Sequence, residues 1–203
     1  MIFENLIPML CGWYNLSANE MSLTGDQVSH IKNDILRDYY KKFGALTGPV
    51  APIIQADGGH LEAQDVMICA SEVISKDSYA IFCHENQAVF SLAAHDRENE
   101  GFAFGTLGHF DSPEHAFAVG ISLSEILVTF ALREAIFSAQ RTFCARPQRA
   151  QNELKSSARR GISTRSRYLG PDDYHVFHFG EDAWLMEFQG MEFCAKRGSF
   201  KKP

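Results

Sequence analysis

The sequence predicts an α+β fold: one domain with mainly antiparallel strands and separate helices. Two helix signatures sit early and in the middle of the chain, short apolar runs elsewhere pair across polar turns, and no regular strand–helix alternation links them. A length of 203 residues suits a single core-forming domain and is short for two independent ones. Hydrophobic residues at 45% and charged residues at 22% match an ordinary folded globule, which excludes wholesale disorder and repetitive fibrous architecture.

The first helix is announced by Thr24 with Gln27 three residues later, a capping-box pattern. Val28, Ile31, Ile35, Leu36, Tyr39 and Phe43 then recur at helical spacing, and Gly44 ends the run. His30, Asn33, Asp34, Arg37 and Lys41 fall on the opposite face, while Lys32 lies near the apolar stripe and reaches water along its stem. Residues 79–83 and 88–92 read as strands joined by the polar turn His84-Glu85-Asn86-Gln87, a hairpin, and residues 101–105 suggest a further strand. A second helix starts at Ser122 with Glu125 as its capping partner and runs to about Ala139. Its apolar residues cover most of the circumference, placing it deep against a sheet with Glu125, Thr129 and Arg133 as a narrow wet stripe. Residues 174–179, 183–188 and 191–194, separated by Gly180-Glu181-Asp182 and Gln189-Gly190, predict a three-stranded meander.

Charge is unevenly distributed. Residues 1–140 hold 18 acidic and 7 basic side chains, net −11, whereas residues 141–167 hold eight basic side chains against Glu153 alone, net +7. After Phe143 that basic block has only Leu154 and Ile162 as large apolar residues, so it reads as an exposed insertion within the single domain 1–203. A chain of net charge −6 has no bulk attraction for phosphate backbones or anionic lipid. The basic block lacks interleaved aromatics that would stack bases, which argues against a nucleic-acid partner.

The five scattered cysteines form no C-x-x-C pair and suggest reduced, packed thiols. Glu4 stands where a secretory leader would carry a basic residue, and Pro8 interrupts the apolar run, so a cytoplasmic location is expected. No stretch approaches the roughly 20 uninterrupted apolar residues of a membrane span.

Motifs for chemistry are sparse. Eight histidines raise the question of metal, but no H-E-x-x-H occurs. His175 and His178, three apart in a strand, fall on opposite faces and read as ordinary packed or surface histidines. His95, His109 and His115 would have to be gathered by the fold. There is no G-x-S-x-G, and Ser29-His30-Ile31-Lys32 matches S-x-x-K without its companion motifs. Cys144, near Arg141 and Arg146, reads as core filling. No catalytic residue, metal or cofactor is assigned.

The segments Met67-Ile68-Cys69-Ala70-Ser71-Glu72-Val73 and 77–90, the latter including Glu85-Asn86-Gln87, resemble the SUKH superfamily, the Smi/Knr-type bacterial immunity proteins. Residues 36–44 are similar to that family's early helix and residues 123–127 to its late one. The family commonly has Leu-Pro where this chain has Leu36-Arg37, and Gly after the Asn-Gln where this chain has Ala88. The resemblance implies a twisted sheet flanked by helices, no catalysis, and an immunity protein that binds and neutralises a co-encoded protein toxin, often a nuclease.

An acidic inhibitor suits the cationic groove of such a toxin. The preferred contact residues are Glu85, Asn86 and Gln87, against which stands their reading as a hairpin-stabilising polar turn. Two other readings stay open. One is a small enzyme with a nonstandard site around His84, Glu85 and His109; the other is a regulatory module whose basic insertion docks an acidic partner.

Overall fold

The computed structural model describes residues 3–47, 53–55, 60–61, 65–85, 90–105, 116–139, 142–144, 152, 155–156, 160–165, 174–188 and 190–197. Among these the α-helices are α1 (Leu6–Tyr14), α2 (Ala18–Met21), α3 (Asp34–Phe43) and α4 (Leu123–Phe137). The early strands are β1 (Ile53–Gln55), β2 (His60–Leu61), β3 (Asp65–Met67), β4 (Ile74–Lys76), β5 (Tyr79–Glu85), β6 (Phe90–His95), β7 (Glu100–Gly105) and β8 (Ala116–Ser122). The later ones are β9 (Thr142–Cys144), β10 (Arg160–Arg165), β11 (Tyr174–Phe179), β12 (Ala183–Phe188) and β13 (Met191–Lys196). The class is α+β, and among the described residues every strand pair is antiparallel except β1 with β9.

The strands form two sheets, and contacts divide the chain into two compact units. The first comprises Met1–Pro49 and Gln64–Val128; the second comprises Val50–Ala63 and Thr129–Pro203. A separate second core is sustained because β11, β12 and β13 bring their own apolar face, on which Phe177, Phe179, Trp184, Met186 and Phe193 are buried.

In the first unit α1 buries Leu6, Leu10 and Trp13, spaced four and three apart, and Asn15 takes the left-handed conformation that ends the helix. Phe3, Tyr39 and Phe43 meet edge to face, with centroids 5.4–6.1 Å apart. The helix expected from Thr24 to Phe43 is interrupted. Gln27 Oε1 accepts from the Thr24 backbone N–H at 2.8 Å, but this caps only a single 3-10 turn, Asp26–Val28. The chain restarts at Asn33, whose Oδ1 accepts from the Leu36 N–H at 2.9 Å while its amide donates to the His95 and Glu98 carbonyls at 2.8 and 2.9 Å. One side chain thus caps α3 and ties it to the turn after β6. Gly44 does not stop the helix in a left-handed conformation; the chain tightens into another 3-10 turn, Gly44–Leu46.

The sheet of this unit runs β3-β5-β6-β7-β8, with β4 also paired to β5. Cross-strand neighbours Ile81, Ala93 and Phe102 form a buried cluster against which Tyr79 and Ala116 pack. β4 and β5 are joined by Asp77 and Ser78, both at positive φ, the two-residue hairpin geometry whose twist matches the strands. On β7, a Cβ added to Gly101 would lie 2.1 Å from Ile126 Cδ1 of α4, so only glycine admits this approach without a shift.

The sheet of the second unit runs β10-β11-β12-β13-β9-β1-β2. The predicted meander is observed as β11, β12 and β13. Within residues 141–167 the described residues include two strands of this sheet. β9 is an interior strand with β13 on one side and β1 on the other, and β10 is the edge strand beside β11. Few large apolar residues suffice because a strand needs inward groups only at alternate positions: Gly161 and Ser163 are exposed, Ile162 is half-buried and Thr164 is buried.

Candidate functional site

The β5–β6 hairpin holds the residues that the sequence singles out. Glu85 is the last residue of β5, directly opposite Asp65 of β3 in the ladder. Asn86 and Gln87 lie outside the described residues, as does His109. His84, one position earlier, is exposed, and its Nδ1 is 2.9 Å from Ser91 Oγ on β6, its direct cross-strand partner. That pair has the reach of a base and a nucleophile, but Ser91 sits inside a strand paired with both β5 and β7, an arrangement that competes for the backbone N–H groups an oxyanion hole would use.

His95 is not gathered with His84. It pairs with Tyr79 at the opposite end of the ladder, about 15 Å along the strands, where its ring meets Tyr79 edge to face at 4.9 Å and its Nδ1 accepts from the Arg97 N–H. His30 Nε2 donates to the Ala70 carbonyl at 2.9 Å. No group of three or more His, Cys, Asp or Glu side chains suited to a metal ion occurs among the described residues. The Cys11 and Cys194 thiols are both pushed above their ordinary range by burial, the reverse of an activated nucleophile.

The sequence reading missed a buried polar group in the second unit. The proposed wet stripe on α4 is corrected: Thr129 and Arg133 are buried, and so is Glu134. The Arg133 guanidinium lies over the rings of Phe130, Phe137 and Phe188 at 5.3, 5.7 and 5.9 Å. His175, fully buried on β11, stacks on Phe188 of β12 with centroids 4.0 Å apart and planes 4° from parallel. Thr164 of β10 is its direct partner across the other strand pair. Neither ring nitrogen of His175, nor the Thr164 hydroxyl, has a hydrogen-bond partner among the described residues. Burial first, and the Arg133 charge second, lower the His175 pKa to about 2, so the imidazole is neutral. Arg133, set between Phe130 and Phe137 on a mostly apolar helix, is the sequence signal that could have found it.

On the other face of that sheet the predicted opposition of His175 and His178 holds. His178 Nε2 donates to Glu187 Oε1 at 2.7 Å, and Lys155 Nζ reaches Glu187 at 3.0 Å and Glu192 at 2.7 Å. Burial pushes the Glu187 carboxyl up, but the hydrogen bonds from Lys155 and His178 outweigh it and hold the group below its ordinary range. The hydrogen bond to Glu192, opposed by burial and aided by Glu187, raises the Lys155 ammonium. Glu187 and Glu192 are opposed in register, so the lysine neutralises a like-charge pair.

The structural division also sorts the charge. The first unit carries 15 acidic and 6 basic side chains, net −9; the second carries 10 and 13, net +3. No helix among the described residues is long and apolar enough to cross a membrane. No family model, curated protein or solved structure matches this chain.

Proposed function

We propose that this protein is a cytoplasmic immunity-type protein that binds and neutralises a cationic protein toxin through its first unit. The observation that carries the reading is the opposition of Asp65 and Glu85 at the end of the β5–β6 hairpin, within a unit of net charge −9. Like charges facing each other across a ladder cost stability. A cationic partner turns that cost into affinity, speeds encounter and rejects acidic competitors. The segments that resemble the SUKH superfamily, residues 36–44, 67–73, 77–90 and 123–127, all fall within this same unit, which supports the assignment. Inhibition on this reading is occlusion of the toxin's groove, with no bond made or broken by the inhibitor.

The test is to co-express the chain with the product of the adjacent gene and titrate the purified pair calorimetrically. A stoichiometric complex is expected, weakened as salt is raised and weakened further by Asp65→Lys with Glu85→Lys. A partner that binds these variants as tightly as the parent, or no complex with the neighbouring product, sinks the proposal.

A further inference from the structure

The turn after β6 holds a histidine with two competing partners. His95 ends β6, and its Nδ1 accepts from the Arg97 backbone N–H at 3.3 Å. This nitrogen therefore carries no proton, and the neutral ring keeps its own on Nε2. Glu98 Oε1 lies 3.8 Å from the same Nδ1, within ion-pair range but beyond hydrogen-bond distance. The ring is partly open to water, so solvent protons reach it, and its remaining neighbours are the rings of Tyr79 at 4.9 Å and Phe102 at 6.2 Å.

The same turn is a junction. The His95 carbonyl accepts from the Glu98 N–H at 3.3 Å, and the carbonyls of His95 and Glu98 together hold the Asn33 amide that caps α3. The Asp96 N–H donates to the Ser78 carbonyl of the β4–β5 hairpin at 2.8 Å, and the Asn99 carbonyl accepts from the N–H of Leu123 at the start of α4 at 2.9 Å. The charged and titratable groups on the elements around the ring are Asp96, Arg97 and Glu98 of its own turn, Lys32 before α3, Lys76, Asp77 and Tyr79 of the β4–β5 hairpin, and Glu100 of β7. Lys32 engages Asp96 at 3.5 Å, which leaves Glu98 as the carboxylate that answers the ring.

We propose that His95 is a pH-operated switch in this turn: a proton taken from solvent onto Nδ1 ends its acceptance from Arg97 and makes it a donor to the Glu98 carboxylate. One nitrogen serves both bonds, so the two arrangements exclude each other. Because the His95 and Glu98 carbonyls are the pair that binds Asn33, the exchange acts on the start of α3. The switch makes no use of Asp65 or Glu85 and stands apart from the proposed toxin-binding surface.

The test is NMR on the full chain, labelled with nitrogen-15 and carbon-13 and titrated from about pH 7.5 to 5, the range in which imidazoles change charge. At the upper end the ring nitrogen shifts are expected to place the proton on Nε2. As the ring titrates, the Arg97 amide is expected to lose about fivefold in hydrogen-exchange protection beyond the intrinsic pH dependence, the factor that one ordinary hydrogen bond supports. The Glu98 carboxyl carbon is expected to shift along the same curve. Both responses should vanish in His95→Phe, which keeps a flat ring beside Tyr79 and Phe102, while Glu98→Gln should retain the Arg97 response. A neutral ring with its proton on Nδ1 overturns the proposal, as does an Arg97 amide or a Glu98 carboxyl that stays fixed while the ring titrates. These outcomes are read on the parent chain, so a variant that fails to fold does not rescue the proposal.

Discussion

Asn33 in the first unit and His175 in the second are both buried polar side chains, 2% and 0% exposed. Asn33 satisfies three hydrogen bonds that join the start of α3 to the turn after β6. His175 has rings around it and no hydrogen bond from either nitrogen among the described residues. The first kind of burial specifies structure, since each bond is met only in one arrangement. The second burdens it, because desolvating an imidazole without partners costs free energy that packing must offset.

Substitutions put this contrast to the test. The largest effect is expected for Asn33→Asp, a loss of about 3 kcal/mol in urea unfolding, because a carboxylate would then face two carbonyl oxygens in place of two donors. A cost no greater than that of an exposed cap would end the claim that Asn33 is a joint. Next comes Gly101→Ala, expected to cost about 2 kcal/mol through collision with Ile126, with part of the loss recovered when Ile126→Val is added.

His175→Phe should act in the opposite direction, raising stability by about 1 kcal/mol by removing two nitrogens that have no hydrogen-bond partner among the described residues while keeping a flat ring against Phe188. The same residue sets a pH dependence. Its folded pKa of about 2 lies below the ordinary 6.5, so between these values the unfolded chain binds a proton that the folded chain refuses. Above pH 6.5 no proton is at stake, and stability is lost progressively as pH falls from there toward 2. Thermal midpoints of parent and His175→Phe measured across that range should therefore diverge with acidification; parallel curves would show the ring is hydrated. The smallest effect is expected at Ser78→Gly, a gain of about 0.5 kcal/mol, since glycine holds the positive φ of 72° without a Cβ penalty.

The parts legible in the sequence are those governed by local pattern. The C-terminal meander and the strands of the β5–β6 hairpin follow from apolar runs between turn residues, and α4 follows from Ser122 and the apolar stretch after it. The break before α3 was not legible, because Asn33 draws two of its bonds from residues more than sixty positions away. The Asp77-Ser78 turn lacks the glycine that normally signals such geometry. β9 hid within a charged segment because its partners β1 and β13 are distant in sequence, and β10, though paired with the next strand, hid because Ile162 is its one large apolar residue. Of the candidate site, Glu85 was expected in the polar turn and stands instead as the last residue of β5; its opposition to Asp65 is a matter of register that no local pattern encodes.

The parallel pairing of β1 with β9 has a consequence for vectorial synthesis. Ile54 must wait for Phe143, about 90 residues later, and at 5–20 residues per second that is a delay of roughly 5–18 s on the ribosome. During that interval the nascent β1 and β2 lack their sheet neighbour, while β3 to β8 of the other unit are made and find their partners among themselves. Chaperone contact during translation would therefore concentrate on residues 53–61, and slowing the ribosome there would lengthen the exposure.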